Sequence, residues 1–576
     1  MKPMFRLLAG LIALLLLTGC VQTPTVPPPN ALPDAAGQPQ EILAYVPLDD
    51  RPVNTDRVAY LAASLGYDLR MPEEDLYRTR LDQQPRNENG TAYGDRAALY
   101  EWVLEQEAVG CQRYILSLDQ LLSGGLVNSR HMSENLPVTL SDGSTMTEED
   151  LLDGLLTVLS ADPDNTVWLL DTVMRLAPTV GYDGWDLAGY ETLRSYGMLT
   201  RPTLTQLTVE NIVAGYGLDA DGNPIRYEDM GLSTDRILQY HDARARKLSL
   251  ISHALELAEG LPNVHFLIGV DDSAPSASIQ TNELAFLRQQ VENKGAVLSG
   301  ADEIGMMAVC RLYASEGDEV PQVRVRYFGD SQQNASSDYD HQPMEEIVAQ
   351  HLAFLGTVIT EANADLELLV LTAPAEKGKS GTYISELISA LQENAANGTP
   401  TILMDAAKNQ YDDAFQKKLV EKTDLGFLLG YAGFYDLANV TGIAVSNGLA
   451  RWLCLHRGGS ATQEQQDAFI RTLADSLLKD LCYKNQVKPK VSLYVRNTLK
   501  GDPDNFCLTG TDPQTVLSKA GEYLTAETKT VLKNLSSSAM LIDLEGTTAG
   551  LGTLRISDVI FPWLRVFEIR MNIVID

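Results

Sequence analysis

EILAYVPLDDRPVN, from Glu41 to Asn54, runs a short apolar segment directly into two aspartates and an arginine. The apolar part reads as a buried β-strand. Charge placed at its end cannot stay buried alone, so the chain either turns at the surface there or delivers carboxylates to a pocket. The same grammar recurs along the chain and decides the fold class. YDLRMP, CQRYILSL, NTVWLLD, VHFLIGV and AVLSG are further strand candidates, separated by stretches such as AALYEWVLEQEA and TNELAFLRQQVENKG whose apolar residues return every three or four positions. Strands alternating with helices predict an α/β fold of parallel βα repeats, barrel-like or doubly wound.

A second series, VRVRYFG, LELLVLTAP, TPTILMD and LGFLLGYAG, begins near Pro321, again with helices between the strands. Beyond about Ile470 the pattern changes to long helices and then to strand-like LRISDVIFPWLRVFEIRMNIVID. The 576 residues are too many for one ordinary core. The expected organisation is a signal segment over 1–20, a Pro-rich tether over 21–40, and an N-terminal α/β domain over 41–320 that carries the acidic strand ends. A second α/β domain over 321–470 and a small C-terminal α+β segment over 471–576 complete it.

Lys2 and Arg6 precede LLAGLIALLLL, the layout of an export signal. The segment closes on Leu17-Thr18-Gly19-Cys20, which resembles a bacterial lipobox and implies a lipid on Cys20. The expected localisation is therefore extracytoplasmic, anchored to the membrane through that lipid. The following Pro, Gln and Thr residues cannot bury a core and read as an extended tether. With 45 basic against 77 acidic residues and a net charge of −32, the chain repels phosphate backbones, which argues against a nucleic-acid partner. No CxxC spacing supports a zinc site, Cys111 and Cys310 read as buried thiols, and Cys482 with Cys507 is the one pair suggestive of a disulfide.

In parallel α/β sheets the ligand crevice lies beyond the carboxyl ends of the strands. Those ends carry Asp49, Asp50 and Arg51, then Asp119, Asp171, the doublet Asp271-Asp272, and Asp302 with Glu303. Single acids after strands commonly turn or cap the chain, the structural reading for Asp171. Asp302 as an N-cap, with Glu303 in the first turn behind it, is the same reading of that pair. Adjacent carboxylates repel, so one tends to hold its proton, which is the condition for acid–base chemistry. LDQLLSGGLVNSRH adds Gly124 and Gly125, which permit close backbone approach, ahead of Arg130. Arg51, Arg130 and Arg175 are the candidate counter-charges. GxGxxG, GxSxG and HExxH are all absent, and seven histidines in the chain disfavour a His-rich metal centre.

Several of these stretches together resemble domain-of-unknown-function family 4127. They are PLDDRPVN with Asn54, LDQLLSGGLVNSR, DTVMRLAP with Arg175, GVDDSAP, GADEIGMMAVCR, DAAKNQYDD with Asn409, and FPWLRVFEI. The resemblance implies a shared fold and a shared site but no reaction. One departure stands out: GFYDLANVTG keeps Gly433, Asn439 and Gly442 but has Tyr435-Asp436 where relatives usually show Asn-Thr.

The reading drawn from these residues is a hydrolase, glycosidase-like, acting on a glycan or envelope polymer. Asp271, Asp272, Asp50, Asp119 and Glu303 are the candidate catalytic carboxylates. Asp49, Arg51, Asn54, Gly124, Gly125, Arg130, Arg175, Asp302, Asn409 and Asn439 are the candidate binding residues. A strand followed by Asp-Asp is also similar to the barrel hexosaminidases that use substrate assistance. Two rivals remain open: a hydrolase dependent on a divalent cation, since carboxylates with few histidines suit Mg²⁺, Mn²⁺ or Ca²⁺, and a lipid-anchored solute-binding protein without catalysis.

Overall fold

The apolar runs of the first half become β1 (Glu41–Val46), β2 (Tyr67–Arg70), β3 (Arg113–Ser117), β6 (Thr166–Val173), β7 (Val264–Val270) and β8 (Gly295–Ser299). A small hairpin, β4 (Val138–Thr139) with β5 (Thr145–Met146), interrupts the series. The computed structural model describes residues 41–329, 337–372, 380–407, 414–458 and 461–576. The six main strands lie parallel in the order β2-β1-β3-β6-β7-β8. Alternation sends Leu43 and Tyr45 to one face and Ala44 and Val46 to the other. Helices Asp56–Leu65 and Ile304–Ser315 cover the first face; Arg96–Ala108, Glu148–Ala161, Thr234–Leu257 and Gln280–Val291 cover the second. The sheet is open and doubly wound, so the barrel alternative fails, and with it the likeness to the barrel hexosaminidases.

The second series forms β9 (Gln322–Phe328), β10 (Val358–Ile359), β11 (Leu366–Leu371), β12 (Thr401–Asp405) and β13 (Leu428–Gly433), parallel in the order β10-β9-β11-β12-β13. Two-residue β10 carries too little apolar pattern to be legible from sequence. Both sheets send their second strand to one side of the first and the remainder to the other. That reversal creates a switch point, where the carboxyl ends of neighbouring strands diverge and leave a crevice.

The sheets share one apolar cluster, in which Tyr45, Val58 and Met307 from the first pack with Ile443 and Leu449 from helix Leu437–Gly458 of the second. Within the first half, Gly305 lets helix Ile304–Ser315 lie close against β1, because a Cβ there would lie 2.5 Å from the Tyr45 hydroxyl. Arg57 adds a buried ionic tie, its Nε 2.9 Å from Asp475 and its Nη2 2.7 Å from Asp480.

The C-terminal part comprises helix Gln463–Ser476, a π-helical continuation Leu477–Val487, helix Pro513–Ser537, β14 (Ala539–Leu541) paired with β15 (Thr548–Gly550), and the hairpin β16 (Leu554–Ile560) with β17 (Arg570–Ile575). Phe561–Ile569, expected as strand, instead connects the hairpin. Its backbone groups are satisfied by outside partners: Phe506 N–H donates to Leu564 O, and Val566 N–H to Pro503 O. Cys482 and Cys507 are free thiols, which removes the suspected disulfide; Cys482 is wholly buried in apolar packing, as are Cys111 and Cys310.

Candidate functional site

The loop after β1 is folded by its own charges. Asp49 accepts from Arg51 N–H at 3.0 Å, Arg51 Nε at 2.8 Å and Asn54 Nδ2 at 2.8 Å, which turns the Arg51 side chain along the sheet edge. There its guanidinium meets Asp302, Nη1 to Oδ2 at 2.9 Å and Nη2 to Oδ1 at 2.6 Å. Asp302 is thus an ion-pair partner and not the N-cap. Glu303 occupies the cap position of helix Ile304–Ser315 without making a capping bond. The Asp302 carboxyl is held below its ordinary range, with the Arg51 charge opposing the effect of burial.

Asp50 points elsewhere. Its Oδ1 accepts from Trp563 Nε1 at 2.8 Å and Thr79 N–H at 3.1 Å, while its buried Oδ2 has no partner among the described residues. Burial, reinforced by the charge of Asp49, pushes its pKa to about 6. Asp119 begins the short helix after β3 and accepts from Lys247 Nζ and, at 2.9 Å, from Thr172 Oγ1. Lys247 also reaches Asp171 at 3.1 Å. Asp171 lies inside β6, so it is a buried ion-pair member where a turn residue was expected. Burial drives it to about 7 against the pull of Lys247.

Gly124 and Gly125, at φ +74° and +126°, turn the chain between two short helices; a Cβ on Gly124 would sit 2.8 Å from Gly94 O. Their conformation is required by this backbone approach. They in turn bring up Arg130, which donates to Asp271 at 2.5 Å and to Thr179 Oγ1 at 2.8 Å. Arg175 pairs with Asp272 and lies 5.5 Å from the Tyr190 ring centre.

Glu303 is fully buried, and among the described residues neither carboxyl oxygen is hydrogen-bonded. It fills a niche left by two glycines, since a Cβ would stand 1.8 Å from Oε1 at Gly300 and 2.2 Å from Cγ at Gly442. His351 Nε2 lies 3.6 Å away, and burial raises the acid's pKa.

The structure therefore gathers Asp49, Arg51, Arg130, Asp271 and Asp302, with Arg175 and its partner Asp272 alongside Arg130. Arg130 feels the charges of Arg175 and Arg51 as well as Asp271, and Asp302 feels Arg130. Asp119 is sealed with Lys247, and Glu303 faces the helix after β13. Asn54 acts within the β1 loop. Asn439, on helix Leu437–Gly458, has a buried Oδ1 without a partner among the described residues. Asn409 and Cys20 lie outside the described residues.

Sequence reasoning missed a second contribution. Lys484 bonds Glu568 at 3.0 Å, its ammonium 5.1 Å from the ring centre of Tyr435, and burial lowers its pKa to about 8. Its charge also reaches Asp302. Phe434 precedes Tyr435 at φ +75°, a left-handed conformation that costs a bulky residue energy. Trp563 and Arg565 arrive from the hairpin connection; FPWLRVFEI was the one signal that this stretch mattered. A shallow hollow of about 650 Å³, lined in part by Arg326, Phe328 and Ser385, lies on the second sheet, away from these charges.

Comparison with curated proteins and with solved structures gave no match. Residues 43–572, nearly the whole chain, match the family described as protein of unknown function DUF4127, and the chain belongs to that family.

Proposed function

We propose that the protein is an exported, membrane-anchored hydrolase of a glycan or envelope polymer. It works at the carboxyl edge of the first sheet, with Asp272 as its principal proton-transferring carboxylate and Asp302 as the second acid. One observation carries this reading. Of the strand-end carboxylates named above, Asp272 and Asp302 keep the most exposed side chains, 26% and 17%, and each is held by a guanidinium. Glycosidic cleavage needs one carboxyl group to protonate the leaving oxygen and another to act across the sugar ring. Arginines that fix both carboxylates supply the positioning such a reaction requires. The lipobox-like Cys20 and the tether over 21–40 support a location beside the envelope.

The rival readings draw less support. Among the described residues no three His, Cys, Asp or Glu side chains are grouped to hold a cation. A solute-binding clamshell needs lobes that part, whereas here one apolar cluster runs through both sheets. Incubating the protein with isolated bacterial cell walls and following solubilised reducing ends tests the reading. Release that persists in EDTA supports it. Release that requires an added divalent cation favours the metal-dependent hydrolase, and wall components bound but never cleaved favour the binding protein.

A further inference from the structure

The hairpin connection Phe561–Ile569 sets Arg565 among cations supplied by other elements. The Arg565 guanidinium lies 4.5 Å from the Trp563 ring centre and 5.3 Å from that of Phe567. Arg51 lies 5.1 Å from the same indole, so two guanidiniums share one ring. The Lys488 ammonium is 4.7 Å from the Phe567 ring centre and 5.3 Å from that of Phe434. The acids nearest these cations are already engaged: Glu568 with Lys484 at 3.0 Å, Asp504 with Arg496 at 3.5 Å, and Asp49 with Arg51 at 2.7 Å. Among the described residues neither Arg565 nor Lys488 forms an ion pair, and Arg565 Nε is buried without an acceptor. Burial and the charge of Arg51 bring Arg565 down to about 10, and burial, with the charge of Arg565 added, lowers Lys488. With Glu568, Asp504 and Asp49 each held by another cation, an oxyanion beside Arg565 and Lys488 would relieve their mutual repulsion.

We propose that Arg565 and Lys488 form a subsite for an oxyanion, a carboxylate or phosphate group on the substrate, with the partly exposed rings of Phe434 and Phe567 beside the sugar that bears it. The inference rests on the hydrolase reading of the adjoining carboxylates and narrows it: the polymer is acidic. A guanidinium offers paired donors to an oxyanion, and the ammonium adds a point charge.

Calorimetric titration of the full-length protein with inorganic phosphate, and separately with glucuronate, tests this. Saturable binding of at least one is expected, weakened tenfold or more in Arg565→Gln and in Lys488→Gln, and unaltered in Asp272→Asn. The tighter ligand identifies the group. Should Arg565→Gln fail to fold, Lys488→Gln, at a partly exposed position, carries the test. Absence of saturable binding to both ligands, or undiminished binding by a folded Arg565→Gln or Lys488→Gln, overturns the subsite. Anion binding without cleavage of any wall polymer would leave the subsite standing and remove the hydrolase; cleavage without anion binding would do the reverse.

Discussion

Arg51 and Asp302, 251 positions apart in sequence, grip one another through two hydrogen bonds across the carboxyl edge of the first sheet. β1 and β8 are separated by three intervening strands, so their loops would not otherwise meet. The chain after β8 turns back at Gly300, at φ +93°, and helix Ile304–Ser315 then lies against Tyr45 of β1. In a double-mutant cycle of Arg51→Lys and Asp302→Asn, the coupling measured by chemical denaturation at pH 7 should be about 1–3 kcal/mol. Because the folded-state pKa of Asp302 is depressed, this stability is present above the ordinary carboxylate range and is lost as pH falls through it. Additive single effects at pH 7 would show that the pair does not hold the loops.

Asp50 gives the opposite dependence. Its pKa is raised from 3.8 to about 6, so its contribution to stability is complete below about pH 4 and disappears as pH rises through 6. Asp50→Asn keeps an acceptor for Trp563 and Thr79 and cannot ionise. It should leave stability at pH 4 nearly unchanged and raise it at pH 8 by on the order of 3 kcal/mol. Equal effects at both pH values in urea denaturation would contradict the assignment.

Gly442 is predicted to be indispensable only while Glu303 occupies its niche. Gly442→Ala places a methyl group against the Glu303 chain and should cost about 1–3 kcal/mol. Glu303→Ala vacates that space, so the added cost of Gly442→Ala should shrink in the double variant. Thermal unfolding of the four proteins reads this directly, and an unchanged cost would place the strain elsewhere.

Arg57 should be the most sensitive of the buried cations. Arg57→Ala leaves Asp475 and Asp480 facing one another without their shared counter-charge, for an expected loss of about 3–5 kcal/mol. A loss under 1 kcal/mol in denaturant titration would mean that Lys479, 2.8 Å from Asp475, suffices alone.

The strands of the two parallel sheets other than β10 were legible because each is a short apolar or alternating run ending in turn or charged residues, and the parallel arrangement followed from the helices between them. The acids at β1, β7 and β8 were legible for the same reason. Their pairings were not: nothing local in DDRP announces Asp302, and nothing near Asp271 announces Arg130. Asp119 and Asp171 look in sequence like neighbours of the site, yet Lys247, supplied by a helix far along the chain, takes both. Trp563, Arg565 and Lys484 escaped because they lie on a hairpin connection and a π-helical turn, where neither period two nor period 3.6 marks which way a side chain faces.

The most direct test of the central claim is the rate at which Asp272→Asn, shown to be folded, releases reducing ends from isolated cell walls. The account predicts a fall of about 10²–10⁴-fold from wild type with wall binding retained. Undiminished release by the folded variant would contradict it.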